Sequence, residues 1–236
     1  GAAVMPSLRV WLSWSTGKDS AWALQELRRW PGVEVVALLT TVNAAFGRVA
    51  MHAVRETVLE AQAAAVGLPL VKVPIPHPCP NELYQQAMAT ALARARVEGV
   101  THIAFGDLYL EDVRLYREAM LADTGIAPLF PLWGSDTGAL ARQMIAAGLR
   151  AVLTCVDPKQ LSAEFAGRCF DARLLADLPV GVDPCGERGE FHTFAFAGPM
   201  FRAPVSVVIG QRVLLDGFVF ADVQLAEQLP AAVGPQ

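Results

Sequence analysis

From Val10 to Val156 the chain alternates between short apolar runs and longer stretches whose apolar positions recur every three or four residues. Val10–Trp14, Val33–Val42, Leu70–Ile75 and Val100–Phe105 are apolar almost throughout, as strands buried on both faces of a parallel sheet are. Leu129–Leu132 and Ala151–Val156 continue the series. Between them the spacing predicts helices over Ala21–Trp30, Arg48–Val66, Glu82–Glu98, Glu111–Ala122 and Thr137–Ala147. Pro31-Gly32 ends the first, and Gly67 with Pro69 ends the second. Such alternation implies an α/β fold, a parallel sheet with helices on both faces. After residue 160 the rhythm changes. Asp183–Gly189 is rich in turn formers, and Phe191–Phe196, Val205–Ile209 and Val213–Phe220 read as strands. The predicted organisation is an α/β domain over 1–132 and a smaller mixed α+β lobe over 133–236.

Composition narrows the classes. Apolar residues make up 53% of the 236, too many for a disordered chain and enough for a large core. The formal charge of −4 gives no basic face for RNA or DNA, so no nucleic-acid partner is expected. No apolar run reaches the ~18 residues of a membrane span, and Gly1–Ser7 lacks the pattern of a signal peptide. The four cysteines, at 79, 155, 169 and 185, form no C-x-x-C pair and read as free thiols of a cytoplasmic protein. A homo-oligomer is compatible with all of this. Lysine is scarce, with three against sixteen arginines, which draws attention to Lys18.

Ser15-Thr16-Gly17-Lys18-Asp19-Ser20 falls between the first strand and the first helix, where an open α/β sheet places an anion site. Gly17 lets the backbone approach a phosphate, Ser15 and Ser20 offer hydroxyls, and Lys18 offers charge. Asp19 suits loop orientation or a magnesium ion bridging phosphates. The Walker pattern fails, with Leu12 where a glycine is needed and Asp19 after the lysine. An ordinary βα turn with a Ser or Asp cap is the plain alternative. A second unusual stretch is Asp183-Pro184-Cys185-Gly186-Glu187-Arg188-Gly189-Glu190-Phe191-His192-Thr193. Gly186 and Gly189 permit a tight loop, Glu187 and Glu190 can hold a metal or a cationic group, and His192 can donate to a phosphate. A strand-leading turn with exposed acids is the bland reading.

The hexapeptide resembles the PP-loop, S-G-G-x-D-S, of the N-type ATP pyrophosphatases, with Thr16 in place of the first glycine. The two motifs together resemble the diphthine–ammonia ligase family, which carries S-x-G-K-D-S near its start and C-G-E-x-G-E-[FY]-x-T near its end. Gly106-Asp107 with Arg114, Arg117 and Glu118, Pro131-Leu132-Trp133, Met51-His52 with Arg55, and Gln62 through Gly67-Leu68-Pro69-Leu70 also match. The resemblance covers residues 10 to 202 and implies an adenine nucleotide alpha hydrolase-like fold. It implies an ATP- and Mg2+-dependent ligase that adenylates a carboxylate, releases pyrophosphate, and joins ammonia with loss of AMP.

Under that resemblance Ser15, Thr16, Gly17, Lys18, Asp19 and Ser20 hold ATP, with Asp19 toward the metal. Thr40, Gly106 and Asp107 complete the nucleotide site. His52, Arg55, Arg117, Gly186, Gly189 and His192 face the substrate, and Lys18, Asp19, Glu187 and Glu190 carry the catalysis. Several positions keep a plainer reading from the residues alone. His52, Arg55 and Glu56 can be a solvated helix face with an ion pair, and Asp107 can be a cap. His77-Pro78-Cys79 is the nearest approach to a zinc pair. Two functional alternatives stand beside the ligase. One is a nucleotide-binding module without turnover. The other is a PP-loop sulfur transferase using Cys155 and Cys185, against which the acidic balance argues.

Overall fold

The structure is a computed structural model that describes residues 8–43, 48–49 and 54–226. In chain order its elements are β1 (Leu8–Ser13), α1 (Lys18–Leu27), β2 (Val33–Asn43), β3 (Arg48–Val49), α2 (Glu56–Val66), β4 (Leu70–Ile75), α3 (Asn81–Val97), β5 (His102–Ala104), α4 (Glu111–Leu121) and β6 (Ala127–Leu129). There follow α5 (Thr137–Ala146), β7 (Arg150–Val156), α6 (Ala172–Asp177), β8 (Phe191–Ala197), β9 (Val207–Leu215) and β10 (Phe218–Leu225). The first sheet is parallel in the order β4-β2-β1-β5-β6, with the short β3 antiparallel to the end of β2. The chain works outward from β1 on one side, then returns to its other side. The switch point therefore lies between β1 and β5, and a crevice opens there at the carboxyl ends of the strands. The second sheet is antiparallel, in the order β8-β7-β10-β9.

Alternation along the central strand divides the interior. Val10, Leu12 and Trp14 pack with α1, α2, Leu153, Phe191 and Phe194, in a core that also holds the inner face of the second sheet. Trp11 points the other way, with Ile103, Val73, Leu92 and Leu121, under α3 and α4. The layers are thus α3/α4, parallel sheet, α1/α2, antiparallel sheet. That stacking is what brings the last quarter of the chain over the first turn.

Three expectations change. The helix expected over Arg48–Val66 begins at Glu56. Arg48–Val49 pairs with Val42–Asn43, and Arg55 is an extended N-cap residue with φ −63° and ψ 144°. The strand expected over Leu129–Leu132 is Ala127–Leu129, followed by a turn. The strand expected over Val213–Phe220 is cut in two by a hairpin at Asp216-Gly217. Both turn residues have positive φ, 52° and 82°, the signature of the tight turn that Asp-Gly favours.

Candidate active site

The phosphate turn is shorter than its sequence suggests, because α1 starts at Lys18 and takes Lys18, Asp19 and Ser20 into its first turn. Ser20 Oγ accepts from the Ser15 amide at 3.1 Å and lies 3.0 Å from Ser15 Oγ, so the two serines close the turn. Strand β8 crosses directly behind it. The Lys18 amide donates to Thr193 Oγ1 at 3.0 Å, and the Ala195 amide donates to Thr16 O at 2.9 Å. A Cβ at Gly17 would stand 3.1 Å from Thr193 O, so the close crossing depends on glycine there. Gly106 plays the matching part at the end of β5, where a Cβ would stand 3.2 Å from the Asp19 backbone.

The clamp on this arrangement is Gln62. It is fully buried among Val58, Leu59, Ala63 and Val66 on α2. Its Oε1 accepts from Trp14 Nε1 at 2.7 Å, and its Nε2 donates to Thr16 O at 2.8 Å and Ala195 O at 2.7 Å. One side chain therefore ties the end of β1, the phosphate turn and β8. Its signal was legible: a lone amide at a core-facing position of an apolar helix must find partners. Thr16 adopts φ 72°, and its hydroxyl is buried without a partner.

The second motif folds into the same cleft. Lys18 is 2% exposed, and its ammonium donates to Cys185 O and to Asp19 at 3.2 Å, with the rings of Phe170 and Phe191 at 5.3 and 5.5 Å. Burial disfavours its charge, but Asp19, Cys185 and Glu187 together outweigh burial and hold the ammonium above its ordinary value. Asp19 itself is pushed up by burial against the pull of Lys18, with Asp183 and Asp107 adding repulsion. Asp183 braces the loop, accepting from the amides of Cys185 and Glu187 and from Thr137 Oγ1. Gly186 and Gly189 lie at φ 67° and 80°. Glu187 reaches across and accepts from the Leu108 amide at 3.1 Å. Burial lifts its carboxyl to about 7, against that hydrogen bond and helped by Asp19 and Asp107. Burial, with the Lys18 charge, takes the His192 imidazole down to about 4.

Two cavities meet at the turn. One, of about 410 Å³, is lined by the phosphate turn, Gly106, Asp107 and residues 185–189 and 191–193. The other, of about 570 Å³, is lined by Leu39, Thr40, Ile75, Cys79, Tyr84 and Met88. Ser13, Ser15, Phe105 and Arg117 line both. Arg117 stacks on Phe105 at 4.7 Å and donates to Asp107 at 3.2 Å, which fixes its guanidinium at the junction. Thr40 contributes wall only, its hydroxyl donating to Trp14 O at 2.8 Å. The smaller cavity, with the α1 N-terminus, two serine hydroxyls and Arg117, fits a polyphosphate. Among the described residues no group of three or more His, Cys, Asp or Glu side chains is arranged to hold a metal. Asp19 and Asp107 fit magnesium only in company with phosphate oxygens.

Two expected site residues are not brought to the cleft. Arg55 pairs instead with Asp222 of β10, at 3.1 and 2.7 Å, a partner 167 residues away. Glu190 is turned under its loop, 1% exposed, where Oε2 accepts from the Asp183 amide at 2.6 Å. His52 lies outside the described residues. The structure adds Gln62, Thr193 and Asp183, which hold the site from behind. The cysteines are free, and burial pushes the thiols of Cys155 and Cys185 up to about 12.

A family model described as the diphthamide synthase N-terminal domain matches residues 8–128, and one described as the diphthamide synthase C-terminal domain matches residues 136–228. Among curated proteins the chain is similar to a diphthine–ammonia ligase of Rattus norvegicus, 27% identical over 131 residues, 53% of this chain and 49% of the relative. It is also similar to one of Danio rerio, 29% identical over 130 residues, 52% of this chain and 51% of the relative. The human ligase is 28% identical over 131 residues, 53% and 49% of the two chains. The matched region spans about half the length of these relatives.

Proposed function

The chain belongs to the diphthamide synthase family, and from that premise we propose that it is an ATP-dependent ligase that joins ammonia to a carboxylate. The observation that carries the reading is the 410 Å³ cleft, which both motifs line. A carboxylate cannot react with ammonia directly, because oxide does not leave. In the proposed reaction a carboxylate oxygen attacks the α-phosphorus of ATP and pyrophosphate departs. Ammonia then attacks the acyl carbon and AMP departs. The nucleoside occupies the 570 Å³ cavity beside Thr40, and the pyrophosphate lies on the α1 N-terminus beside the paired hydroxyls of Ser15 and Ser20. Arg117, at the junction, faces the α-phosphate, where charge accumulates during the first transfer. Asp19 and Asp107 would hold a magnesium ion together with phosphate oxygens, and the ion would neutralise phosphate charge. Lys18 locks the phosphate turn to the C-terminal loop.

Glu187 suits the second step. With its carboxyl at about 7, it takes a proton from the attacking amine near neutral pH. His192, neutral at that pH, can accept a hydrogen bond from the amine or donate one to the acyl oxygen. Sulfur transfer is less well supported, because Cys155 and Cys185 stay protonated far above neutral pH. The test is incubation with ATP, magnesium, ammonium and a panel of carboxylates, with nucleotides separated by chromatography. AMP and an amide are expected, and Glu187→Gln retains ATP binding but makes no amide. ADP and orthophosphate as the sole products refute the ligase.

A further inference from the structure

The antiparallel sheet has two edges of opposite character. Its β8 edge is closed from within: the Ala195 amide goes to Thr16 O, Ala195 O accepts from Gln62, and the Val205 amide goes to Phe196 O. Its β9 edge has no pairing partner but β10 among the described residues. Seven consecutive residues there, Ile209–Leu215, are exposed. Val213 is 53%, Leu214 70% and Leu215 54% exposed, and Phe218 beyond the hairpin adds another open apolar surface. Val213 faces Phe220 and Leu215 faces Phe218 across the hairpin, so these four share one side of the sheet.

Proteins ordinarily protect such an edge with lysine, proline or brevity. Strand β9 has nine residues and neither lysine nor proline. Its single charge, Arg212, lies back over the sheet, donating to Ala166 O at 3.0 Å and Glu164 O at 3.2 Å. One register shift, at Gly210-Gln211, separates Val207–Ile209 from Arg212–Leu215 and leaves both stretches paired to β10.

We propose that β9 is a homodimer interface, pairing antiparallel with β9 of a second copy across a two-fold axis. An edge whose one charge is tied back to its own chain matches its image: backbone donors meet acceptors, and apolar side chains meet apolar side chains. At ~3.3 Å per residue the edge is about 30 Å long. With side chains standing ~5 Å on each face it covers about 300 Å² per protomer, or roughly 600 Å² in all, the area of a weak dimer that forms only at high concentration. The closed β8 edge stops propagation, so the assembly ends at two copies and an eight-stranded sheet.

Sedimentation across about 1 to 100 µM tests this, since a dimer of that size follows mass action. The expected species at high concentration has twice the 25.3 kDa of one chain. Amide exchange over residues 207–215 is expected to slow as concentration rises. Val213→Lys with Leu215→Lys, both at exposed positions, is expected to weaken association at least tenfold and leave thermal unfolding unchanged at about 1 µM, where both proteins are monomeric. Leu214→Glu serves as an independent variant should the double one misfold. A wild type that stays monomeric throughout overturns the proposal. So does dimerisation undiminished in both variants, or growth into larger polymers. Slow exchange at 207–215 in a monomer, independent of dilution, means the chain covers its own edge and overturns it as well.

Discussion

Gln62 is the side chain on which the phosphate turn depends, and two substitutions separate its contributions. Gln62→Ala removes hydrogen bonds to Trp14 Nε1, Thr16 O and Ala195 O at once. Thr16 O keeps the Ala195 amide, but the buried indole N–H keeps nothing, and each stranded buried group costs about 1–3 kcal/mol. With Ala195 O and the space left behind, the sum is about 3–5 kcal/mol, a large share of a total stability near 5–15 kcal/mol. Gln62→Glu keeps the shape. One oxygen still accepts from Trp14, but the other faces two carbonyl oxygens, so the folded protein needs the neutral acid. Its folded-state pKa is therefore raised above the unfolded value of about 4.3. Above that pH the penalty grows by about 1.4 kcal/mol per unit until the folded-state pKa is reached. Urea unfolding of wild type and both variants, at pH 5.5 and 7.5, measures this. The Glu variant should trail wild type by up to about 2.7 kcal/mol more at the higher pH. An offset unchanged between the two pH values, or an Ala variant costing under ~1 kcal/mol, refutes the clamp.

Thr16→Gly relieves left-handed strain of about 1–2 kcal/mol and an unpaired hydroxyl, against about 1 kcal/mol of glycine entropy and a lost methyl contact of ~0.8 kcal/mol. It should raise stability by about 1 kcal/mol, read from the urea midpoint; a lower midpoint contradicts the strain. Lys18→Met leaves Asp19 without its cation and Cys185 O without its donor, so it should cost about 2–4 kcal/mol and abolish AMP formation. A fully stable variant means the lysine does not lock the two loops. With the Glu187 carboxyl at about 7, the amide-forming rate should climb with pH through an inflection near 7, and a profile flat from pH 6 to 8 removes Glu187 as base.

Much of the parallel-sheet half could be read in advance, because its determinants are local. Strands buried on both faces are continuously apolar, and a turn between the first strand and first helix can only lie at the sheet's carboxyl edge. The rest hangs on partners far along the chain. Nothing near Arg55 announces Asp222, so an expected substrate contact became a strut between α2 and β10. Glu187 and Glu190 are three apart in a loop, and the loop's curvature turns one into the cleft and the other beneath it. Lys18 carries a phosphate-binder's credentials, yet burial beside Phe170 and Phe191 engages it with the C-terminal loop. Asp216-Gly217 was an available signal for a hairpin, outweighed by the long apolar run around it.

The contact between the Lys18 amide and Thr193 also orders events during synthesis. The first strand and helix leave the ribosome early, but the hydroxyl that receives the Lys18 amide is encoded 175 residues later. At about 5–20 residues per second that interval lasts roughly 9–35 s. Through it, the nascent turn has its serines and its helix but not the strand that fixes its backbone. The cleft that the two motifs share is therefore complete only once the C-terminal sheet has closed.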